Sequence, residues 1–484
     1  GIFAFAIYDE RHNTMTLFRD SFGVKPLFYT MINGTIVFSS EPKGCFCFPG
    51  VKAELDVDGL NEILSLGPAR TPGSGGFHEL LPGCYLTCSV FGRKMTQYFH
   101  LESRPHFDSY EETVEKTSFL IQDAIKRQMV SDVPICTFLS GGVDSSVVSA
   151  VCAAELKKQG KKLTTFSFDF IDNDKYFKAN SFQPSQDRPY VDKMVSFLDS
   201  DHHYLECDNK MQADLLYRSV DAHDLPCMAD IDSSLQYFCE EVSHSHKVVL
   251  TGECADEVFG GYPWFHREEM LNSGTFPWTP SLTPRKVLLK DDLVESLHMD
   301  EYVKKIYDRS VSEINVLPSE SEIETNRRRI GYLNIRFFMQ TLLNRMDRTS
   351  MFSGLEARVP FADRKLVDYV FNIPWEMKAK DGLVKNILRQ ASKGLLPDEI
   401  LFRRKSPYPK TYNPYYENLL AKRLKEVLSD SASPLHSLLD LKQVTQFLEN
   451  PKDYGAPWYG QLMAGPQMIA YLLQIEYFLR KYNV

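Results

Sequence analysis

The stretch TFLSGGVDSSVVSAV, residues 137–151, has the pattern of a strand, a tight turn and a helix. Small residues, Ser140-Gly141-Gly142, separate two apolar runs. Glycines let backbone amides approach a ligand closely, and a helix start offers unpaired N–H groups and the positive end of its dipole. The turn therefore predicts a phosphate site. Asp144 is out of place in such a site, unless it merely caps the helix.

The segments around this turn alternate between strand and helix patterns. The runs VPICTFL, LTTFSFDF, HHYLEC and KVVLTG are typical of strands, and stretches with helical periodicity lie between them. This alternation predicts an α/β fold with a doubly wound parallel sheet. Ligands bind such sheets at the carboxyl ends of the strands. A second loop, TGECADE at residues 251–257, follows one of these strands, so we expect it at the same edge.

The two loops together point to a magnesium site. No Gly-Lys-Ser/Thr of a P-loop follows Gly142, so a polyphosphate held here needs positive charge from elsewhere. Mg²⁺ supplies such charge through one or two carboxylates and phosphate oxygens. Asp144 and Asp256 are the candidate ligands. The plainer alternative is that Glu253, Asp256 and Glu257 form a solvated helix start, where negative charge is favourable.

Three regions follow from the patterning of the whole chain. Residues 1–98 contain short apolar or alternating runs separated by turn residues, which predicts a β-rich part. Residues 99–112 are polar and are predicted to be a linker. Residues 113–484 carry the alternating pattern and then a largely helical segment from about Tyr262 onward.

Composition excludes several classes of protein. The chain has 484 residues and a net charge of -9, which argues against a nucleic-acid partner. No apolar run approaches the length of a membrane span, so we expect no membrane partner. The 10 cysteines are scattered and lie mostly inside apolar runs. This usage is typical of buried free thiols in a reducing compartment, and we expect a cytoplasmic location.

Several motifs taken together resemble one family. SGGVDSS looks like the pyrophosphate loop of ATP pyrophosphatases that adenylate their substrates. TGECADEVFGGY and GLEARVPFAD (354–363) are similar to asparagine synthetase and its relatives, and RRKSPYPKTYNP (403–414) resembles one bacterial-type subgroup. GIFAFAIYDE, FRDSFGVKPLFY and FSSEPKG resemble the later half of a class II glutamine amidotransferase domain. The resemblance covers essentially the whole chain.

The resemblance implies a fold and a reaction. The fold would be a partial N-terminal Ntn-type β-rich glutaminase domain, followed by an ATP-pyrophosphatase domain with a helical C-terminal part. The reaction would convert aspartate, ATP and glutamine or ammonia to asparagine, AMP and pyrophosphate, with glutamate as a further product when glutamine is the donor. Aspartate would first become an acyl-adenylate, since a carboxylate is a poor electrophile until it carries a good leaving group. The cofactors would be ATP and Mg²⁺, and the resemblance leaves a homodimer possible.

The resemblance also assigns site residues. Asp144 and Asp256 match the carboxylates of the Mg²⁺-pyrophosphate site. Phe168 is bulkier than the aliphatic residue usual at its position, and Thr251 replaces a serine but keeps the hydroxyl. The positions that match the ATP and pyrophosphate site are Leu139, Ser140, Gly141, Gly142, Asp144, Ser145, Phe168, Thr251 and Gly252.

Two further residues are catalytic candidates. Glu356, in GLEAR, would deprotonate ammonia or stabilise the cationic tetrahedral intermediate; its alternative is an ion pair with Arg358. Lys405, in RRKSPYPK, would neutralise charge on the α-phosphate, and the adjacent Arg403 and Arg404 compete for that role.

Four more basic or acidic positions have plainer interpretations. For Lys385 the better interpretation is a lysine on a helix surface. For Arg345, Asp347 and Arg348 it is an internal ion-pair network.

The N-terminus departs from the family pattern. A class II amidotransferase uses an N-terminal cysteine as its nucleophile, but residue 1 is Gly1 and none of the 10 cysteines matches that position, so the nucleophile is absent from this chain. Either the sequence is a fragment that lacks roughly the first half of this domain, or this chain cannot hydrolyse glutamine, and we expect the fragment. A strand pattern that begins at once would otherwise leave an unpartnered, aggregation-prone edge.

Two alternatives to an asparagine synthetase remain open at this stage. One is a relative similar to β-lactam synthetase, which adenylates a β-amino acid and cyclises it without ammonia. The other is a non-catalytic paralogue that binds nucleotide. The combination of Asp144, Asp256, Glu356 and Lys405 favours a catalyst, because a degenerate paralogue has little chemical need for all four.

Overall fold

The N-terminal part consists of antiparallel sheets. The computed structural model describes residues 1–73, 78–179, 183–451 and 457–484. Seven strands lie in the described residues up to 98: β1 (Ala4–Asp9), β2 (Thr14–Arg19), β3 (Phe28–Ile32), β4 (Thr35–Ser39), β5 (His78–Glu79), β6 (Cys84–Ser89) and β7 (Gly92–Gln97). One sheet has the order β1-β2-β6-β7 and the other the order β4-β3-β5. The β-rich character predicted for this region is confirmed.

A parallel sheet forms the centre of the remaining chain. Its strands are β8 (Ile135–Phe138), β9 (Thr164–Phe170), β10 (Asp201–Cys207), β11 (Val248–Leu250) and β12 (Glu356–Arg358). The order is β10-β9-β8-β11-β12, and every neighbouring pair is parallel. The chain runs outward from β8 to one side and then from β11 to the other. The two loops singled out in the sequence therefore meet at the point where the strand order reverses, which is where such sheets bind ligands.

Helices cover this sheet and build the C-terminal part. Within the described ranges they are α1 (Pro42–Phe46), α2 (Val57–Asn61), α3 (Tyr110–Gln128), α4 (Val143–Lys158), α5 (Asn173–Tyr176), α6 (Arg188–Leu198), α7 (Asn209–His223), α8 (Asp230–Ser243), α9 (Ala255–Phe259), α10 (Glu268–Leu271), α11 (Thr283–Lys286), α12 (Asp291–Leu297), α13 (Met299–Ser312), α14 (Glu322–Leu333), α15 (Met339–Phe352), α16 (Arg364–Phe371), α17 (Trp375–Lys378), α18 (Asn386–Ala391), α19 (Asp398–Leu401), α20 (Pro414–Ser429), α21 (Leu435–Leu438), α22 (Leu441–Glu449) and α23 (Gly465–Tyr482). None of these helices is both long and apolar enough to cross a membrane.

The helix α3 begins inside the stretch predicted to be a linker. Ser109 caps it, since its side chain accepts a hydrogen bond from the Glu112 amide, and Glu112 accepts one in return from the Ser109 amide. Such a capping box satisfies two helix-start donors at once. The polar composition of residues 99–112 thus reflects a helix start as well as a connection.

The N-terminal sheets and the helical part are joined by ion pairs and hydrogen bonds. Lys25 pairs with Asp347 at 2.7 Å, and the Tyr471 hydroxyl donates to the Ile63 carbonyl at 2.9 Å. The cysteines follow the sequence prediction, because all 10 are free and all but Cys47 are buried.

Gly252 lets the two site loops touch. A Cβ atom at this position would lie 2.6 Å from the Ser145 amide nitrogen and 2.7 Å from the Asp144 carbonyl carbon. Both are backbone atoms and cannot rotate away. Gly141 is constrained in a similar way, because its φ is +70° and a Cβ would lie 2.7 Å from the Cβ of Tyr190.

The variant Gly252→Ala should be destabilised by about 1–3 kcal/mol, the usual cost of overpacking a well-packed site. Urea unfolding of the purified chain measures this free energy. Gly142→Ala is the matched control, because its φ is -83° and the nearest atom to an added Cβ is 3.5 Å away. Equal stability of the two variants would show that the loops are not in the close contact described here.

Candidate functional site

The first site loop is held by its own serines. The Ser145 hydroxyl accepts a hydrogen bond from the Ser140 amide at 3.0 Å and lies 2.9 Å from the Ser140 hydroxyl. Arg403 also holds the loop in place, because its guanidinium donates a hydrogen bond to the Ser140 carbonyl at 3.0 Å. Gly142 is the N-cap of α4, so the turn leads directly into a helix start, as the sequence predicted.

Two carboxylates converge at the meeting point of the loops. The ammonium group of Lys385 lies 2.7 Å from both carboxylate oxygens of Asp144 and 2.8 Å from Oδ1 of Asp256. Lys405 forms an ion pair with the other oxygen of Asp256. Asp144 and Asp256 therefore reach a common point, where the ammonium group of Lys385 lies between them.

This cluster overturns the interpretation of Lys385 as a helix-surface residue. Lys385 is 3% exposed and precedes α18 in a left-handed conformation with φ of 56°. Among the three adjacent cations, Lys405 is the one that contacts Asp256. Arg403 is buried against Asp187 and Tyr190, and Arg404 is exposed.

The protonation of the cluster follows from its charges. Burial opposes ionisation of Asp256, but Lys385 and Lys405 together hold its pKa well below the ordinary value. Burial raises the pKa of Asp144, and Lys385 counteracts part of this effect. Glu257 differs from both, since burial and the neighbouring Asp256 raise its pKa to about 8 and it accepts a hydrogen bond from the Tyr262 hydroxyl. The loop therefore carries fewer negative charges than its sequence suggests.

A cavity of about 210 Å³ opens beside these carboxylates. The ring of Phe168 forms part of its wall and stacks on Phe238 with centroids 4.1 Å apart and planes 8° from parallel. Leu139 and Thr251 are nearly fully buried at the same edge. The sequence-predicted residues in the cavity lining are Leu139, Ser140, Asp144, Ser145, Phe168, Thr251, Gly252 and Asp256.

A second cavity of about 120 Å³ adjoins the first and shares Glu253, Asp256 and Tyr262 with it. Glu253 pairs with Arg345 at 2.6 Å, and the Glu253 side chain is 18% exposed. Lys405 lines this second cavity. Glu253 and Arg345 thus lie between the two spaces. The sequence had placed Arg345 in an internal ion-pair network, which is its actual state, but the network borders the site.

Glu356, the candidate for handling ammonia, lies away from both cavities. Glu356 begins β12 and pairs in register with Val248, the first residue of β11, so it lies at the amino end of the sheet. The cavities lie at the carboxyl end, beyond Thr251. Glu356 instead forms an ion pair with Arg358 at 3.0 Å, and its side chain is 38% exposed. The alternative considered for this residue therefore holds, and Glu253 takes its place as the carboxylate that faces the site.

Comparison with known protein families identifies the family of this chain. The model of the asparagine synthase family matches residues 117–480, and that of a glutamine amidotransferase domain matches residues 1–99. The chain belongs to the asparagine synthase family.

Relatives support this family membership over the whole chain. Asparagine synthetase [glutamine-hydrolyzing] 3 of Bacillus subtilis is 48% identical over 489 residues, which span 100% of this chain and 79% of the relative. Asparagine synthetase [glutamine-hydrolyzing] 1 of the same organism is 27% identical, with 93% of this chain and 74% of the relative covered. Amidase chyE of Penicillium rubens is also 27% identical, with 84% and 69% covered.

The raised pKa of Glu257 predicts a pH-dependent stability. Between its ordinary value of about 4.5 and about 8, the folded protein holds a proton that the unfolded chain has released. Stability from this group is therefore present at low pH and is lost as the pH rises through about 8, with a slope of at most about 1.4 kcal/mol per pH unit. In Glu257→Gln this slope should vanish, while the exposed Glu322→Gln should keep it. Urea unfolding across this pH range measures the slopes, and an unchanged slope in Glu257→Gln would contradict the assignment.

Proposed function

We propose that this chain catalyses the ATP-dependent conversion of aspartate to asparagine with ammonia as the nitrogen source, and that glutamine supplies this ammonia when the N-terminal domain is complete. The observation that carries the proposal is the convergence of Asp144, Asp256, Lys385 and Lys405 at the switch point of the sheet, next to Glu253. Two carboxylates and two ammonium groups at one point suit the binding of a polyphosphate whose pyrophosphate becomes the leaving group. A carboxylate outside this cluster suits the amide-forming step.

Different residues assist different parts of the first step, the adenylation of aspartate. A side-chain oxygen of aspartate forms a bond to the α-phosphorus of ATP, and the bond from this phosphorus to the bridging oxygen of pyrophosphate breaks. The start of α4 and the turn at Ser140 face the pyrophosphate end, where helix N–H groups favour an anion. Lys405 and Lys385 stabilise the negative charge that develops on the phosphate oxygens, an effect that is strongest where water is excluded.

We propose that Asp144 and Asp256 also hold Mg²⁺ with the nucleotide. Their carboxylates fit this ion because they already share one cation at 2.7 and 2.8 Å, and hard oxygen donors beside phosphate are the ligands Mg²⁺ takes. When bound, the ion would neutralise charge on the leaving pyrophosphate.

The second step forms the amide. Ammonia adds to the acyl carbon of the β-aspartyl adenylate, the carbon–oxygen bond to AMP breaks, and the nitrogen loses a proton. Glu253, between the two cavities, is positioned to stabilise the cationic nitrogen and to accept this proton. Its ion pair with Arg345 keeps the carboxylate directed into the site. A positioned general base of this kind contributes about 10²–10⁴-fold to a rate.

The cellular setting is also part of the proposal. All but one of the 10 cysteines are buried as free thiols, which is the usage expected in a reducing compartment. We therefore propose that the enzyme works in the cytoplasm. A homodimer stays a prediction.

The purified chain should release pyrophosphate from ATP in repeated turnovers only when aspartate and an ammonium salt are both present, with asparagine and AMP as the other products. Asp144→Asn should abolish this release and leave the fold intact. Coupled pyrophosphate assays and circular dichroism measure the two properties. Release that does not depend on aspartate would refute the proposed reaction, and wild-type rates in Asp144→Asn would remove this residue from the site.

Glu253→Gln should slow asparagine formation about 10²-fold or more, and should affect exchange of pyrophosphate into ATP much less, because the exchange reports adenylation alone. Glu356→Gln is the matched control and should stay within about twofold of wild type in both assays, since it lies at the opposite edge of the sheet. The reverse ranking of the two variants would restore Glu356 to the catalytic role. Equal loss of both reactions in Glu253→Gln would indicate that the residue binds substrate only.

A further inference from the structure

A second cluster of ligating side chains lies away from the site described above. His223, Cys227 and Asp232 each offer one ligand atom, and these atoms all lie within 4.8 Å of one another. The three residues are 7%, 3% and 1% exposed. Nothing in the proposed reaction uses them. The sequence spacing His-x₃-Cys-x₄-Asp gave no recognised metal motif, so they were missed there.

The local fold explains why these side chains meet. The helix α7 ends at His223, and Asp224 then adopts a left-handed conformation with φ of 58°. Ala229, with φ of 51°, precedes α8, so the chain reverses between the two helices. Asp232 lies in the first turn of α8 and therefore faces the end of α7. This reversal brings an imidazole, a thiol and a carboxylate into one buried place.

Two observations indicate that the cluster can accept a ligand. Oδ1 of Asp232 is buried and has no hydrogen-bond partner among the described residues, although its other oxygen accepts a bond from the Met228 amide at 2.6 Å. A cavity of about 60 Å³ is lined by all three residues, which leaves room for an ion and a further ligand such as water. A buried carboxylate oxygen without a partner is costly in a folded protein.

Neighbouring groups support the sulfur and the carboxylate in the way that outer-shell partners support metal ligands. The Gln474 amide donates to Sγ of Cys227 at 3.2 Å, and its carbonyl oxygen accepts a bond from the Cys227 backbone amide at 3.1 Å. The Cys227 thiol in turn donates a hydrogen bond to the Ser219 hydroxyl at 3.6 Å, and metal binding would remove that proton.

The surrounding charges permit a divalent ion. Four cations lie near the cluster. Arg345 and Arg348 each have their own carboxylate, Glu253 at 2.6 Å and Asp224 at 3.1 Å. Lys43 pairs with Glu41 at 2.7 Å, and Arg70 donates to the Pro226 carbonyl at 2.8 Å. The imidazole of His223 offers a ring nitrogen as the third ligand atom. A thiolate and a carboxylate together balance the charge of one divalent ion.

We propose that His223, Cys227 and Asp232 bind one divalent transition-metal ion of the Zn²⁺ type, with a fourth position open to the cavity. Nitrogen, thiolate and carboxylate ligands with one open position are a donor set that Zn²⁺ takes in proteins. Binding forms the sulfur–metal bond and releases the thiol proton of Cys227 to solvent. The site is distinct from the Asp144–Asp256 cluster, whose oxygen ligands suit Mg²⁺.

The test uses Co²⁺ as a spectroscopic probe and Zn²⁺ as its competitor. The chelator-treated full chain should bind about one equivalent of Co²⁺ with a thiolate-to-metal absorption band, and Zn²⁺ should abolish that band. Cys227→Ala should lose the band and most of the affinity. Asp232→Asn, which keeps an oxygen for the Met228 amide, should weaken binding while the melting temperature stays near that of wild type.

Two control variants separate this site from other thiols. Cys239→Ala removes a buried thiol in α8, and Cys47→Ala removes the exposed thiol. Both variants should keep the band. Gln474→Met removes the bond donated to the sulfur and should cost about 10–100-fold in affinity. Absence of saturable Co²⁺ binding to the folded wild-type chain would overturn the proposal. So would a band that survives in Cys227→Ala but disappears in Cys47→Ala.

Discussion

The charge balance around Asp144 and Asp256 is the constraint on which the rest of the structure depends. The strand order brings these two carboxylates to the same point, and two negative charges buried so close together would repel each other strongly. Lys385 compensates for both, although it is 241 residues away from Asp144 in the chain. Removing one partner from a buried ion pair is costly, since the remaining charge is then uncompensated. The helical C-terminal part must therefore fold onto the sheet edge for the site to exist.

Glycines provide the second constraint, because the charge cluster requires the loops to lie close. Gly252 sits against the backbone of Asp144 and Ser145, and Gly141 against Tyr190. Asp256 follows Gly252 on the same loop, so the contact at Gly252 sets how far its carboxylate can reach toward Asp144. The sequence separates these features by a hundred residues, but the strand order places them next to each other.

Local features were predictable from the sequence, and features that depend on long-range contacts were not. The strand–turn–helix at residues 137–151, the parallel sheet and the meeting of two acidic loops all follow from periodicity and strand direction. Lys385 was misjudged because its partners, Asp144 and Asp256, lie far from it in the chain and leave no local signal. The location of Glu356 at the amino end of β12 could not be predicted, because this strand has only three residues, too few to give a pattern. The pairing of Glu253 with Arg345, 92 residues apart, leaves no local signal at all.

The loop at residues 251–257 shows how one short segment can serve several chemical tasks. Its three carboxylates lie close in sequence but meet different surroundings: Glu253 faces Arg345, Asp256 faces two lysines, and Glu257 is buried against the Tyr262 hydroxyl. Environments that push the protonation of neighbouring acids apart are how one site combines different roles. A neutral Glu257 repels Asp256 less than an ionised one would. Lys385 and Lys405 can therefore keep Asp256 ionised. Glu253 is then left at the boundary of the two cavities, where the amide bond would form.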